Sequence, residues 1–417
     1  MTGAHGRFSD FVAARQRTGT LIVQPRMGFG DPAVMRRGLL AVRAAGVPAV
    51  GTVTLDSFTR HGEHHRAALA RDANLELNGY PLVAAGAERT ARMLAGIGGA
   101  DFPVQVRHGS PRPEDIFRTM LAAGVEATEG GPVSYCLPYS RVPLRESVLA
   151  WSHATRLLAR QLDRGVRCHL ESFGGCMLGQ LCPPALLVAI SVLECLFFAE
   201  HGITSMSASY AQQTCAEQDR EALAALRLLC AEHLPGVSWH IVLYTFMGLY
   251  PQSSDGANEL LRRSARLAVR TGTERLIVKT VAEAHRIPTI AENVDALRLA
   301  HRTALAEPPP AAGLDARDTE VYRQAGALVD TVLGLAPSVA AALPIAFERG
   351  LLDVPYCLHP DNRNEARCAI GPDGRLEWCD TGRMPLATTA RRGGPASLDA
   401  LLADLQFHRR RLDPVPR

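Results

Sequence analysis

From residue 21 to about residue 306, short runs of apolar and β-branched residues alternate with longer amphipathic stretches, and no other feature constrains the fold as strongly. The strand candidates are 21–27, 49–56, 76–83, 103–108, 126–134, 167–173, 203–210, 238–246 and 274–280. Between them lie Ala/Leu/Arg-rich helical segments such as 33–45, 86–97, 113–124, 143–165, 216–233 and 255–271. Continuous apolar strands alternating with helices are buried on both faces, which asks for a parallel sheet under helices. Eight such units in about 250 residues close a barrel. The expected fold is therefore α/β, a (β/α)8 TIM-type barrel with a smaller C-terminal α+β extension. With nine candidates, one is not a barrel strand. The segments 76–83 and 126–134, interrupted by Gly and Pro, are the weakest. An open doubly wound sheet is the alternative; against it, no Gly-x-Gly-x-x-Gly follows the first strand. GIGG at 96–99 reads as a turn between helix and strand.

The organisation expected is an N-terminal helix within 1–20, a barrel over 21–306, a linker at 307–316 and an extension over 317–417. EPPPAAG (307–313) marks the connection, since Pro-Pro-Pro followed by Gly interrupts any regular element. Residues 317–350 read as two helices broken at Pro337. The stretch PYCLHPDNRNEARCAIGPDGRLEWCD reads as an irregular module containing a hairpin with GPDG as its turn. Apolar residues form 47% of the 417, enough for a large core, and 45 basic against 42 acidic side chains leave only +3. That is no footprint for nucleic acid, which needs a concentrated basic stripe; the tail FHRRRLDPVPR reads as a solvated arginine run. Ten cysteines without a paired framework fit a reducing, cytoplasmic compartment. The N-terminus shows no apolar core of a secretory signal. The stretch ALLVAISVLECLFFA (185–199) is shorter than a membrane span and carries Glu194, so it is expected to be a buried barrel helix.

Three arginines stand at or just past apolar strand runs: Arg26 after LIVQPR, Arg60 after AVGTVTLDSFTR and Arg107 in FPVQVRHG. In a β/α barrel those ends share one face, the face that carries chemistry. A lone arginine there is usually an ion-pair partner; three like charges gathered together need a compensating anion. The planar guanidinium fork suits carboxylates, so a dicarboxylate is the natural guest. The next strand end, ATEGGPVSYCLPYS, supplies Glu129, Tyr135 and Tyr139 beside Gly130-Gly131. Glu129 is either the internal counter-ion of the arginines or the acceptor of an ammonium group, and in the second case the guest is an acidic amino acid. Glu171, in HLESFGGCMLGQLCPP, reads as a structural glutamate before a glycine-rich turn. Lys279 ends the run LIVK and Glu283 follows at a spacing of four, which allows a pair. A Schiff-base lysine and a plain Lys–Glu pair both remain open. Cys357, His359, Cys368 and Cys379 are spaced too widely for a zinc knuckle, so no metal site is expected. There is no nucleophile elbow, P-loop or HExxH.

QPRMGF (24–29), LDSFTR (55–60), LNGYP (77–81), QVRHGSP (105–111), TEGGPVSYCLPY (128–139) and IVKTVAEAHRIPT (277–289) occur in that order. Together they resemble the large (epsilon) subunit of glutamate mutase, also called methylaspartate mutase, over roughly residues 8–390. The resemblance implies an adenosylcobalamin-dependent radical isomerase that converts L-glutamate to (2S,3S)-3-methylaspartate. It implies an arginine claw of Arg26, Arg60 and Arg107 around the substrate carboxylates, completed by His108, Glu129, Tyr135 and Tyr139, with Glu129 and Arg60 in catalytic roles. It places Gly28, Asn78, Pro138, Tyr250, Lys279, Glu283 and Ile287 against the cofactor. The string Asp-x-His-x-x-Gly, which binds cobalt in this cofactor class, is absent, so the cofactor is expected to be shared with a separate small subunit carrying it. A homodimer of this chain within a heterotetramer is the expected assembly. Two departures stand out: Tyr250 replaces a Phe of the better-known members, and the loop ESFGGCMLGQ differs from theirs. The tail diverges enough that no residue is carried over from it. The alternatives are a non-catalytic barrel that binds an acidic amino acid or a partner, and a related mutase acting on another acidic amino acid.

Overall fold

The computed structural model describes residues 6–73, 75–177, 181–308, 314–387 and 397–413. Eight parallel strands lie in sequential order: β1 (Ile22–Gln24), β2 (Gly51–Thr54), β3 (Val104–Arg107), β4 (Ala127–Gly130), β5 (His169–Ser172), β6 (Ser205–Ala211), β7 (Ser238–Tyr244) and β8 (Arg275–Ile277). β8 pairs with β1 through Ile22↔Arg275. The seam between β1 and β2 is closed by the parallel bridge Val23↔Ala49, with the Val23 amide on Pro48 O at 3.0 Å and the Val50 amide on Val23 O at 3.3 Å. The sheet is a closed barrel with helices outside.

The ninth candidate, 76–83, is not a barrel strand. It touches the end of β2 by one bridge, Leu55↔Tyr80, and then turns into the short helix Leu82–Ala85. Gly79 allows this, because a Cβ there would lie 2.6 Å from the Asp56 amide. The candidate 126–134 does supply β4, which Gly130 ends at φ 127° just before Pro132. GIGG lies between the helix Ala87–Leu94 and β3, bridged by Gly99↔Phe102.

The barrel interior departs from the expected apolar strands. Gln24, Thr52, Gln105, His169, Glu171, Ser207, His240 and Arg275 are all buried. These residues sit at every second position of their strands, the inward set of a barrel. Polar groups this deep must satisfy one another, and they do. Arg275 donates to Gln24 Oε1 at 2.5 Å, to His240 Nε2 at 3.3 Å and to Ser207 Oγ at 3.0 Å, and it also pairs with Glu171. Burial, with the Arg275 charge beside them, pushes His169 and His240 well below the ordinary histidine range. The helix Arg7–Gln16 closes this end of the barrel: Phe8 stacks on His169 at 4.4 Å and lies 5.1 Å beneath the Arg275 guanidinium.

The apolar stretch at 185–199 forms the helix Pro184–Glu200, buried along nearly its whole length against the barrel. No helix among the described residues is long and apolar enough to cross a membrane. Beyond the barrel come helices Glu320–Leu333 and Val339–Arg349, separated around Pro337, and an antiparallel hairpin of β9 (Arg367–Ile370) and β10 (Leu376–Asp380). Of the segment expected to link the two parts, residues 309–313 lie outside those described, as do 388–396 of the tail. All ten thiols are free. The tail residues weighed as zinc ligands instead clasp barrel loops. Cys357 Sγ reaches Leu137 O at 3.5 Å, His359 Nε2 lies 3.0 Å from Val142 O, and Cys368 Sγ reaches Leu181 O at 3.0 Å.

Candidate active site

The C-terminal ends of β3 and β4 build the centre of the site. Arg107, the last residue of β3, is buried and sends Nε to Glu129 Oε2 at 2.8 Å. Glu129 also accepts the hydroxyls of Tyr135 and, at 2.8 Å, of Tyr244. Tyr135 can fold back onto Glu129 because Gly130 has no side chain; a Cβ there would meet Trp151 at 2.5 Å. Burial works against the Arg107 charge, but Glu129, with Tyr244 and Tyr135, holds its pKa well above the ordinary arginine value. His108 packs between Trp151, stacked at 5.7 Å, and Tyr135, edge-on at 5.0 Å. Its Nδ1 accepts the Ser110 amide at 3.0 Å, which puts the proton of the neutral ring on Nε2. Burial lowers the His108 pKa to about 3; the Glu129 backbone opposes this, while Arg60 and Arg107 reinforce it. Nε2 itself makes no hydrogen bond.

Arg60 is placed by local chemistry. Asp56 caps the short helix Ser57–Arg60, accepting the Phe58 amide at 2.9 Å and the Thr59 amide at 3.1 Å. Gly109, at φ 81°, lets the β3 loop pass close to Arg60, since a Cβ there would lie 3.1 Å from the Arg60 Cδ. The Arg60 Nε is buried without a hydrogen-bond partner. Arg26, half-buried after β1, reaches Glu283 Oε2 at 2.9 Å. The same oxygen lies 3.7 Å from Lys279 Nζ, whose charge also sits 4.4 Å above the Tyr250 ring. Burial lowers the Lys279 pKa to about 8, against the pull of Glu283. The charges of Arg26, Arg60 and Glu129 all act on the Tyr139 hydroxyl, which burial pushes up to about 12. Arg26 and Arg60 thus act on Tyr139 and Arg107 pairs with Glu129, beyond or at the C-terminal ends of β1, β2 and β3.

Two residues central to this geometry escape the sequence reading. Tyr244, the last residue of β7, sets its hydroxyl between Glu129 and Glu171, with one proton to give to either, and receives Arg107 Nη2 at 3.3 Å. Its signal is the pair His240 and Tyr244, in step with Val242 at every second position of β7, polar or aromatic where a plain core strand would be aliphatic. Glu194 is the second. From the helix Pro184–Glu200 it accepts the Ser134 amide at 2.9 Å, Ser134 Oγ at 3.0 Å and Ser172 Oγ at 2.9 Å. It thereby pins the turn that carries Tyr135. Gly131 makes room for it, since a Cβ there would strike the Glu194 carboxylate. Burial raises its pKa to about 7, against those same hydrogen bonds.

The sequence profile of the methylaspartate mutase E chain (MutE) matches residues 3–399. The chain belongs to this family. The glutamate mutase epsilon subunit of Halobacterium salinarum is 30% identical over 400 residues, covering 93% of this chain and 83% of the relative. That of Escherichia coli O157:H7 is 28% identical over 401 residues, with 92% and 82% covered. That of Desulfitobacterium hafniense is 28% identical over 399 residues, with 91% and 81% covered.

Set in the barrel, Arg26 and Arg60 follow β1 and β2, and the other site positions expected from the sequence fall into two arcs. Arg107, His108, Glu129, Tyr135 and Tyr139 follow β3 and β4. Gly28, Asn78, Tyr250, Lys279, Glu283 and Ile287 follow β1, β2, β7 and β8, which are neighbours around the barrel. Pro138 belongs to the first arc by sequence and lines a cleft of about 950 Å³ with Arg60, Tyr139 and Arg141. Gly28 packs so closely on the Thr54 carbonyl that a side chain would collide with it. Asn78 is exposed and accepts the Ser57 amide at 2.9 Å, and Ile287 is 47% exposed. Tyr250 turns its hydroxyl away to Ala257 O at 3.3 Å, so the face offered to Lys279 is an aromatic ring. In the other departing loop, residues 178–180 lie outside those described.

Proposed function

We propose that this chain is the catalytic large subunit of an adenosylcobalamin-dependent glutamate mutase, an isomerase that rearranges L-glutamate to (2S,3S)-3-methylaspartate. The observation that carries the reading is the charge of the mouth. Among the described residues Arg26 and Lys279 share the one carboxylate of Glu283, Arg107 pairs with Glu129 and Arg60 makes no ion pair, leaving two cations in excess around a carboxylate buried among tyrosines. Such a surplus favours a dianionic guest, and Glu129 beside it favours one that also carries an ammonium. Arg107 and Arg60 would bind the two carboxylates through fork geometry, and Arg26 would swing toward the guest from Glu283. Tyr139, whose hydroxyl makes no hydrogen bond among the described residues, is the free phenol donor. The Tyr135 hydroxyl is already committed to Glu129, so its role is to orient that carboxylate rather than to reach a substrate oxygen.

The second arc suits a cobalamin. A corrin is a broad amphipathic disc, and this side of the mouth offers exposed apolar surface at Ile287, an amide at Asn78, and Lys279 with Glu283 as groups for ribose hydroxyls. Bound there, adenosylcobalamin would supply the radical that takes a hydrogen from the substrate. The chain's own contribution would be to hold the fragments in register and exclude water in a closed, preorganised barrel. A small partner subunit with Asp-x-His-x-x-Gly would cover the other face of the corrin.

The test mixes the chain with such a partner and adenosylcobalamin, adds L-glutamate, and follows 3-methylaspartate by proton NMR. Formation of the branched product is expected. No product from glutamate, in a mixture that retains the cofactor, would refute the reading.

A further inference from the structure

Glu129 is the group on which amine recognition rests in the reading above, yet most of its hydrogen-bonding capacity is already taken within the protein. A carboxylate offers about four lone-pair sites on two oxygens. Oε2 takes Arg107 Nε at 2.8 Å and is capped by the Tyr244 hydroxyl at 2.8 Å, whose single proton goes to this oxygen or to Glu171, and Oε1 takes the Tyr135 hydroxyl. One lone pair, on Oε1, is left for a guest. Tyr244 is fully buried, and it is itself anchored from below: its hydroxyl also meets Glu171, which Arg275 pairs and to which Gln105 donates at 3.1 Å and Ser207 at 3.3 Å. Every member of that lower cluster is buried and partnered, so its geometry is fixed before any guest arrives.

We propose that Tyr244 is a positioning residue for substrate amine recognition. It ties Glu129 Oε2 to the rigid Glu171–Arg275 pair, so that only Oε1 presents a lone pair to the ammonium of the bound amino acid. Without the Tyr244 hydroxyl the Glu129 carboxylate can rotate, and no proton lies between Glu129 and Glu171. The amine then loses a preorganised acceptor, while the carboxylates keep theirs, because Arg107 is held through Nε on Glu129 at 2.8 Å and touches this hydroxyl only through Nη2, at a long 3.3 Å. The Phe ring of a Tyr244→Phe variant would still lie beneath the Arg107 guanidinium, now 5.1 Å from the tyrosine ring centre. The inference rests on the reading of Glu129 as the ammonium acceptor.

The experiment compares glutamate turnover with competitive inhibition by glutarate, which has both carboxylates and no amine, in the reconstituted complex. For Tyr244→Phe, kcat/KM for glutamate is expected to fall about 10- to 100-fold, the value of one hydrogen bond to a charged group. Glutarate inhibition should stay within about twofold, the scatter of an uncoupled site. Equal losses for both ligands, or no loss for either, would overturn the proposal and leave Tyr244 a packing residue. Should the single variant fold poorly, Tyr244→Met, which removes the same hydroxyl and leaves the Glu171–Arg275 pair whole, takes its place, and the same selective loss is required of it. A parent complex that turns over glutamate while the variants keep its selectivity defeats only this inference. A parent complex that holds the cofactor but does not turn over glutamate defeats the functional reading as well.

Discussion

Two buried Arg–Glu pairs sit one above the other in this barrel, Arg107–Glu129 at the mouth and Arg275–Glu171 below, joined by the Tyr244 hydroxyl. Their chemistry is the same and their surroundings are opposite. Arg275 spends Nε, Nη1 and Nη2 on His240, Gln24, Ser207 and Glu171, a closed network with nothing to offer a ligand. Arg107 spends Nε on Glu129 and Nη2 on a long contact to Tyr244, while its Nη1 has no hydrogen-bond partner among the described residues. Arg60 near it is likewise unpaired. A buried ion pair costs desolvation, and that cost is offset only when its remaining donors and acceptors are met. The lower pair meets that condition within the protein. The upper pair leaves donors open, and this incompleteness, rather than the presence of charge, marks the functional end of the barrel.

The sharpest way to break the contrast is to replace the arginine of each pair. Arg275→Met should cost about 3–5 kcal/mol of stability, because it strands a buried Glu171; urea unfolding is the measurement, and a loss below about 1 kcal/mol would mean the lower network is not structural. Arg107→Lys should behave in the opposite sense. It should unfold near the parent's midpoint yet lose at least about two orders of magnitude in kcat/KM, since an ammonium cannot reproduce the bidentate fork. Activity within about threefold of the parent would remove Arg107 from substrate binding.

A smaller effect separates the two levels by pH. Lys279 at the mouth, lowered from 10.5 to about 8, loses its charge as the pH rises through about 8. Activity that uses this cation should show an alkaline limb there, and Lys279→Arg should move the limb upward; an unmoved limb would assign it to another group. The stability term has the other sign. Between about 8 and 10.5 the unfolded chain binds a proton that the folded chain does not, so this group's contribution to stability rises with pH. The lower level should be silent over that range, with His169 and His240 already neutral.

Much of the architecture was legible in the linear chain, because it rests on local signals. Runs such as LIVQ and RLIV separated by amphipathic helices demand a parallel sheet, and Arg26, Arg60 and Arg107 fall at strand ends by position alone. Even Gly130, Gly131 and Gly109 announce close approaches, although not what approaches. What sequence leaves undecided is pairing across the barrel. Nothing local distinguishes Arg275, which begins the apolar run RLIVK, from Arg107, which ends one. Nothing local shows that 76–83 yields its place in the sheet to 126–134, which depends on Gly79 packing against the backbone of Leu55 and Asp56. Tyr244 lies 115 residues beyond Glu129, and only barrel closure brings its hydroxyl to that carboxylate. The sequence alone therefore determined the repeating unit and which charged groups stand at its ends, since both follow from short-range periodicity. Tertiary structure decided which of those charges are satisfied and which remain open, because that depends on long-range neighbours in a desolvated interior, where one hydrogen bond separates a structural ion pair from a binding site.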